Sequence, residues 1–152
     1  MDMDIKSLTA YCGLYCGDCI RYRSRASDLA KELAEELKKI KFNEYAKIKS
    51  SSLQTLKYYE QFLSALKEIY SLKCNTPCRT GGDGCAEPCE IKRCVLSNDY
   101  EGCWECDDVQ KCARFNFLKI FHSDAPQKNC KKIKEYGTNH WSEHRTKCYP
   151  WL

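Results

Sequence analysis

Residues 74–112 read CNTPCRTGGDGCAEPCEIKRCVLSNDYEGCWECDDVQKC, and eight of these 39 residues are cysteine, at positions 74, 78, 85, 89, 94, 103, 106 and 112. Pro77, Gly81, Gly82, Gly84, Pro88 and Gly102 lie between them and favour turns over helix or strand. The stretch has almost no periodic apolar residues. Ordering a residue costs about 1–2 kcal/mol of backbone entropy, so ordinary burial is not expected to hold such a segment in one shape. Either disulfides or metal ions must staple it.

Compartment separates those two staples. The chain has 152 residues, 13 of them cysteine, the composition of a scaffold built on sulfur. It opens Met1-Asp2-Met3-Asp4-Ile5-Lys6, with neither the basic nor the apolar region of a secretory signal. No run of about 18 apolar residues exists, so no membrane span is expected. A cytoplasmic location follows as the expectation, and in a reducing cytoplasm cysteine clusters bind metal more often than they form disulfides. The odd number of cysteines also argues against a fully paired disulfide framework.

A second cluster lies upstream, in residues 9–23, TAYCGLYCGDCIRYR, with the spacing Cys12-x3-Cys16-x2-Cys19. Gly13 and Gly17 let the backbone turn tightly enough for three sulfurs to converge. Zinc takes four ligands with Zn–S near ~2.3 Å, and a two-residue gap between cysteines commonly supplies two of them. Radical S-adenosylmethionine enzymes use this same spacing for an iron–sulfur cluster. They need most of a βα barrel around it, and no alternating strand–helix pattern follows here.

Between the clusters the pattern is helical. Leu29, Leu33, Leu37 and Ile40 recur at helical spacing over 27–48, with Tyr45 and Ile48 continuing less regularly and Ser27 or Asp28 as cap. Ser50, Ser51 and Ser52 interrupt it. Ser51 and Gln54 resemble a capping box for a second helix over about 52–72, with Leu56, Tyr59, Leu63, Leu66 and Tyr70 on its inner face. The short connection predicts an antiparallel hairpin, the most conventional core available. Beyond Cys112, Phe115, Phe117, Leu118, Ile120 and Phe121 are expected to close the core. Asp124 and Pro126 start a helix that ends at Gly137 and buries Cys130 and Ile133.

Several chemistries can be weighed. His140-x-x-Glu143-His144 fits the H-x-x-E-H protease pattern, but it lacks a third ligand, and an amphipathic helix with Trp141 packed inward is the plainer reading. His122 stands alone and reads as structural. A thiol–disulfide enzyme wants one C-x-x-C at a helix start beside a βαβ unit, which is not visible. Asp83, Asp99, Asp107 and Asp108 are possible oxygen ligands, and Trp104 is placed to shield sulfur from water. Metal binding is the strong signal. Zinc, two or three ions, is the expected cofactor, with an iron–sulfur cluster as the alternative. Eleven cysteines do not divide by four, and the N-terminal trio needs at least one further ligand from residues 74–112.

The net charge of +4 is unevenly placed: residues 1–110 hold 16 Lys/Arg against 18 Asp/Glu, and residues 111–152 hold 9 against 3. The basic C-terminal third can face a protein or nucleic acid, although no aromatic-and-basic stripe accompanies it.

The order CGLYCGDC, then C-x-x-x-C, CAEPCEIKRC and CWECDDVQKC, with KKIKEYGTNHW later, resembles an uncharacterised prokaryotic family, domain of unknown function 3795. The resemblance implies zinc held by Cys12, Cys16, Cys19, Cys74, Cys78, Cys85, Cys89, Cys94, Cys103, Cys106 and Cys112. Cys130 and Cys148 fall outside the pattern. The expected protein is mainly α: an antiparallel helical hairpin plus C-terminal helices, with an irregular cysteine-rich metal-stapled lobe. It is read as a single domain, with an N-terminal cysteine knuckle (1–25), the hairpin (26–73), the lobe (74–112) and a C-terminal helical segment (113–152). The expected function is zinc binding at mainly structural sites in an interaction module. An iron–sulfur redox protein or a zinc enzyme with an open site is the alternative.

Overall fold

The structure, a computed structural model, describes residues 4–82, 84–85 and 88–152. The fold is mainly α. Its helices are α1 (Ile5–Leu8), α2 (Ile20–Arg23), α3 (Ala26–Lys39), α4 (Phe42–Lys49), α5 (Tyr59–Ser71), α6 (Glu90–Ser97), α7 (Lys119–His122) and α8 (Ala125–Tyr136), joined by short 3-10 turns. Among the described residues there is no strand, only an isolated antiparallel bridge between Thr9 and Tyr15. The chain divides into two compact units, Ser24–Lys73 and the combination of Met1–Arg23 with Cys74–Leu152.

The smaller unit is the helical one. Helices α3 and α5 run antiparallel, because Ser27 at the start of α3 donates its Oγ to the Ile69 carbonyl near the end of α5 at 2.9 Å. Asp28 pairs with Lys73 at 2.6 Å at the same end. Ala30, Ala46, Tyr59 and Leu66 are buried, and the Phe42 and Tyr59 rings pack 5.4 Å apart. Leu29, Leu33, Ile40 and Tyr70, expected on the inner faces, are exposed.

Three local expectations are corrected here. The helix expected over 27–48 is two helices, broken at Lys41, whose φ of 51° is left-handed. Lys38 and Lys39 close α3, where cations complement the helix C-terminus. Ser27 and Asp28 do not cap α3. Ser24 Oγ instead accepts from the Ala26 amide at 2.9 Å, which frees Ser27 and Asp28 for α5. Ser51 does not open a capping box either. The hydroxyls of Ser50, Ser51 and Ser52 donate back to the carbonyls of Lys47, Ile48 and Lys49, acceptors in the last turn of α4. A 3-10 turn (Gln54–Tyr58) precedes α5.

The principal core is not the hairpin but the larger unit. Trp141, Phe115, Ile91 and Val95 are almost fully buried, and Leu14, Trp104, Leu118, Cys130 and Ile133 join them. Ile91 and Val95 come from α6 and Cys130 and Ile133 from α8, whereas Leu14, Trp104, Phe115, Leu118 and Trp141 come from loops and short turns that no sequence period marks. Of the apolar run after Cys112, only Phe115 and Leu118 point inward, whereas Phe117, Ile120 and Phe121 are exposed. A 3-10 turn (Ala113–Leu118) followed by the single turn of α7 produces that alternation. Helix α8 starts after Asp124, with Pro126 in its first turn. Asp124 makes no side-chain cap and instead pairs with Lys128 at 3.0 Å. Gly137 ends α8 at φ +74°, its amide donating to the Ile133 carbonyl.

Residues Trp141–His144 form a 3-10 turn, not an α-helix. His140 and His144 are therefore not one α-turn apart on a shared face, and the His144 ring stacks on Tyr136 at 3.8 Å. Trp141 is fully buried, and its Nε1 donates to Thr9 Oγ1 at 3.0 Å.

Candidate metal centre

The thiols are carried by backbone turns that need little apolar support. The Ala10 amide donates to the Leu14 carbonyl at 2.8 Å, and the Gly13 amide to the Ala10 carbonyl at 2.9 Å, so Cys12 sits at the tip of a tight loop. Gly13 has φ +84°, and a Cβ there would lie 2.9 Å from both Cys130 Sγ and the Pro126 carbonyl. Two C-x-x-C turns follow one plan. The Cys19 amide donates to the Cys16 carbonyl at 3.0 Å, and the Cys106 amide to the Cys103 carbonyl at 3.1 Å. The Cys103 amide reaches the Tyr11 carbonyl at 2.9 Å, joining the second turn to the N-terminal loop. Cys74 is anchored through its amide to the Arg21 carbonyl at 2.9 Å.

Arg79 clamps this assembly. Its Nε donates to the Thr9 carbonyl at 2.7 Å and its Nη2 to the Glu101 carbonyl at 2.9 Å. Its guanidinium lies over the rings of Tyr11 and Trp104. Trp104, expected as a shield for sulfur, is a buried core residue under that cation.

The eleven cysteines of the series fall on two cavities. Cys12, Cys16, Cys19, Cys74, Cys78, Cys85 and Cys89 line the first, of about 60 Å³, with Ala10, Leu14, Ile91 and Leu118 among its apolar walls. Cys94, Cys103, Cys106 and Cys112 line the second. Helix α6 separates them. Cys89 caps its N-terminus, with Sγ accepting from the Lys92 amide at 3.5 Å, and faces the first cavity. Cys94, five residues along and so on another face of the helix, lines the second. Ile91 borders both. The trio of the N-terminal loop thus shares its cavity with four cysteines of residues 74–112.

Burial and crowding raise the thiols of Cys12, Cys16, Cys78, Cys85 and Cys103. Burial pushes Cys12 well up, and the neighbouring Cys85 and Cys78 add to it. Cys16 rises by burial and then by Cys78 and Cys19, and Cys85 is pushed up to about 11 by burial and then by Cys19. In the second cavity Cys103 is pushed up to about 12 by burial, then by Cys112, Cys94 and Cys106. Reactive cysteines are made by lowering the thiol pKa. These shifts run the other way. A cation among the sulfurs would reverse them, because its charge favours the thiolate.

All thirteen cysteines are free thiols. Among the described residues no three His, Cys, Asp or Glu side chains already stand at metal-holding positions. The donor set nonetheless suits a soft cation: sulfur in a largely apolar first cavity, and four thiols lining the second. Outer donors are present there as well. Asn98 Nδ2 lies 3.8 Å from Cys94 Sγ, and Arg114 hydrogen-bonds Cys112. Oxygen ligands are less in evidence. Asp107 is fully exposed and pairs with Lys134 at 3.6 Å, Asp108 borders the second cavity, and Asp83 lies outside the described residues.

The sequence sets Cys148 outside the series and marks His122 as structural, yet both line the first cavity. Cys148 follows Cys112 by 36 positions, so no spacing links it to the series. Cys130, read as a small buried hydrophobe, is buried, with Sγ donating to the Cys12 carbonyl at 3.6 Å.

No curated protein and no solved structure matches the chain. A family model does match, over residues 8–117, described as a protein of unknown function, DUF3795. That span takes in every cysteine from Cys12 to Cys112, both cavities' share of the series and well over half of the chain, which therefore belongs to the DUF3795 family.

Proposed function

We propose that this is a zinc-binding protein whose metal sites are mainly structural, serving as an interaction module. The second cavity carries the reading: four cysteines from α6, a C-x-x-C turn and the following loop converge on one space. Four thiolates make a closed tetrahedral zinc set with no position left for substrate. Cys94, Cys103, Cys106 and Cys112 would hold one ion there, and the cysteines of the first cavity would hold the rest. Bound zinc supplies a cross-link between segments distant in sequence. The Cys103–Tyr11 and Cys74–Arg21 backbone bonds bring those segments together. The basic composition of the C-terminal third, 9 Lys/Arg against 3 Asp/Glu in residues 111–152, supports an acidic protein or a nucleic acid as partner.

An iron–sulfur cluster is the second reading, favoured by one observation: Cys12, Cys16 and Cys19, in C-x3-C-x2-C spacing, all line the first cavity. Elemental analysis of protein purified without oxygen tests both. Two or three zinc ions per colourless chain are expected. Iron with inorganic sulfide in a brown protein would replace zinc with the cluster, and metal-free folded protein would overturn both.

A further inference from the structure

We propose that Cys148 is a metal ligand, its thiolate joining the seven family cysteines of the first cavity to make eight sulfur donors for two four-coordinate ions. The inference rests on the zinc-binding reading and goes beyond the family pattern, which ends at Cys112. It resolves an arithmetic difficulty. The second cavity takes four of the eleven cysteines and leaves seven, a number that two closed sites cannot use without sharing or an open position. With Cys148 the count becomes eight.

The structure delivers Cys148 to this place with four anchors. Arg145 forms a two-pronged ion pair with Asp18, at 2.7 and 2.6 Å, and Asp18 lies inside the Cys16-x-x-Cys19 turn. Asn129, fully buried on α8, donates to the Thr146 carbonyl at 3.0 Å and accepts from its amide at 2.7 Å. His122 Nδ1 donates to the Cys148 carbonyl at 2.5 Å. The Tyr149 hydroxyl lies 3.6 Å from Cys19 Sγ. Residues 145–149 are thereby laid along the first C-x-x-C turn, with the Cys148 side chain buried in the cavity wall. A segment that only filled space would not need paired, directional contacts at Asp18 and Asn129. His122 acts as a positioning residue, since it holds the backbone that carries Cys148.

Cys130 provides the comparison, because it is as buried as Cys148 but lies outside the cavity lining. Full-length zinc-loaded protein, purified without oxygen, is compared with Cys148→Ser, Cys148→Ala, Cys130→Ala and Cys19→Ser by metal-to-chain ratio. The wild type is expected to hold three zinc ions. The Cys148 and Cys19 variants are expected to lose one of them, a third of the total, and Cys130→Ala to keep all three. Cobalt-substituted Cys148→Ser is expected to show weaker thiolate-to-cobalt charge-transfer absorption than wild type, which loss of packing alone would not cause. Serine keeps the shape of cysteine, so the measurement stands even where alanine impairs folding. Full zinc content and unchanged cobalt bands in Cys148→Ser would overturn the ligand assignment and leave zinc binding intact. Wild-type protein without metal would overturn both.

Discussion

The unit Ser24–Lys73 contains no cysteine, glycine, proline or tryptophan. The unit formed by Met1–Arg23 and Cys74–Leu152 contains all thirteen cysteines, seven glycines, four prolines and three tryptophans. The first folds by repetition. Its backbone bonds run within α3, α4 and α5, and its side chains meet across a helix pair close in sequence. The second folds by convergence, through contacts such as Cys103 to Tyr11, Arg145 to Asp18 and Trp141 to Thr9. Convergent contacts carry a larger loop-closure cost before any of them forms. A metal cross-link therefore has far more to contribute to the second unit than to the first.

Metal removal is the strongest test of that contrast. Structural zinc contributes roughly 10–16 kcal/mol of apparent binding free energy in small zinc-dependent peptides. Chelation of the loaded protein is expected to unfold the cysteine-bearing unit while α3–α5 largely persist. The two are separable optically, because Trp104, Trp141 and Trp151 all report on the cysteine-bearing unit and much of the helical signal comes from the other. A large shift in tryptophan emission with partial loss of helical circular dichroism is the expected result. Emission unmoved by chelation would mean that this unit stands without metal. Single-ligand variants sharpen the point. Cys16→Ser and Cys106→Ser, on different cavities, are each expected to lose one ion and to melt at lower temperature. Intact metal content in both would contradict the donor assignment.

Trp141→Ala comes next in size and needs no metal. The side chain is fully buried and its indole N–H is bonded to Thr9 Oγ1. Deleting a buried aromatic ring costs about 3–5 kcal/mol. Denaturant titration followed by the remaining tryptophans should show that loss, while Thr9→Val, which strands the indole donor and removes the Thr9 Oγ1 donation to the Ile5 carbonyl, should cost about 1–3 kcal/mol.

The same contrast governs what could be read from the sequence. Helices α3, α5 and α8 were legible because Leu33, Leu66 and Ile133 belong to apolar series with a helical period, and Gly137 marks a helix end. The break at Lys41 was hidden because Tyr45 and Ile48 nearly continue the period. Ser51 misled because a serine hydroxyl donates to a preceding carbonyl as readily as it accepts from a following amide. In the cysteine-bearing unit the donors were legible but their grouping was not. Cys89 and Cys94 are near neighbours in the chain, yet α6 turns them into different cavities. Cys148 was invisible for the opposite reason: it reaches the first cavity through Asp18 and Asn129, residues with no sequence relation to it.

The smallest expected effect has the opposite sign and sits in the repetitive unit. Gly13 and Lys41 both have positive φ, at +84° and +51°. At Gly13 a side chain meets the Pro126 carbonyl, so Gly13→Ala is destabilising through strain and contact together. At Lys41 the strain is already present, since the left-handed conformation costs a non-glycine residue roughly 1–2 kcal/mol. Glycine removes that strain but gains freedom in the unfolded chain, worth about 0.5–1 kcal/mol. Lys41→Gly is therefore expected to stabilise by up to about 1 kcal/mol, read as a higher melting temperature of the helical signal with tryptophan emission unchanged. A lower melting temperature would mean that the Lys41 side chain contributes more to holding the α3–α4 turn than its backbone strain costs.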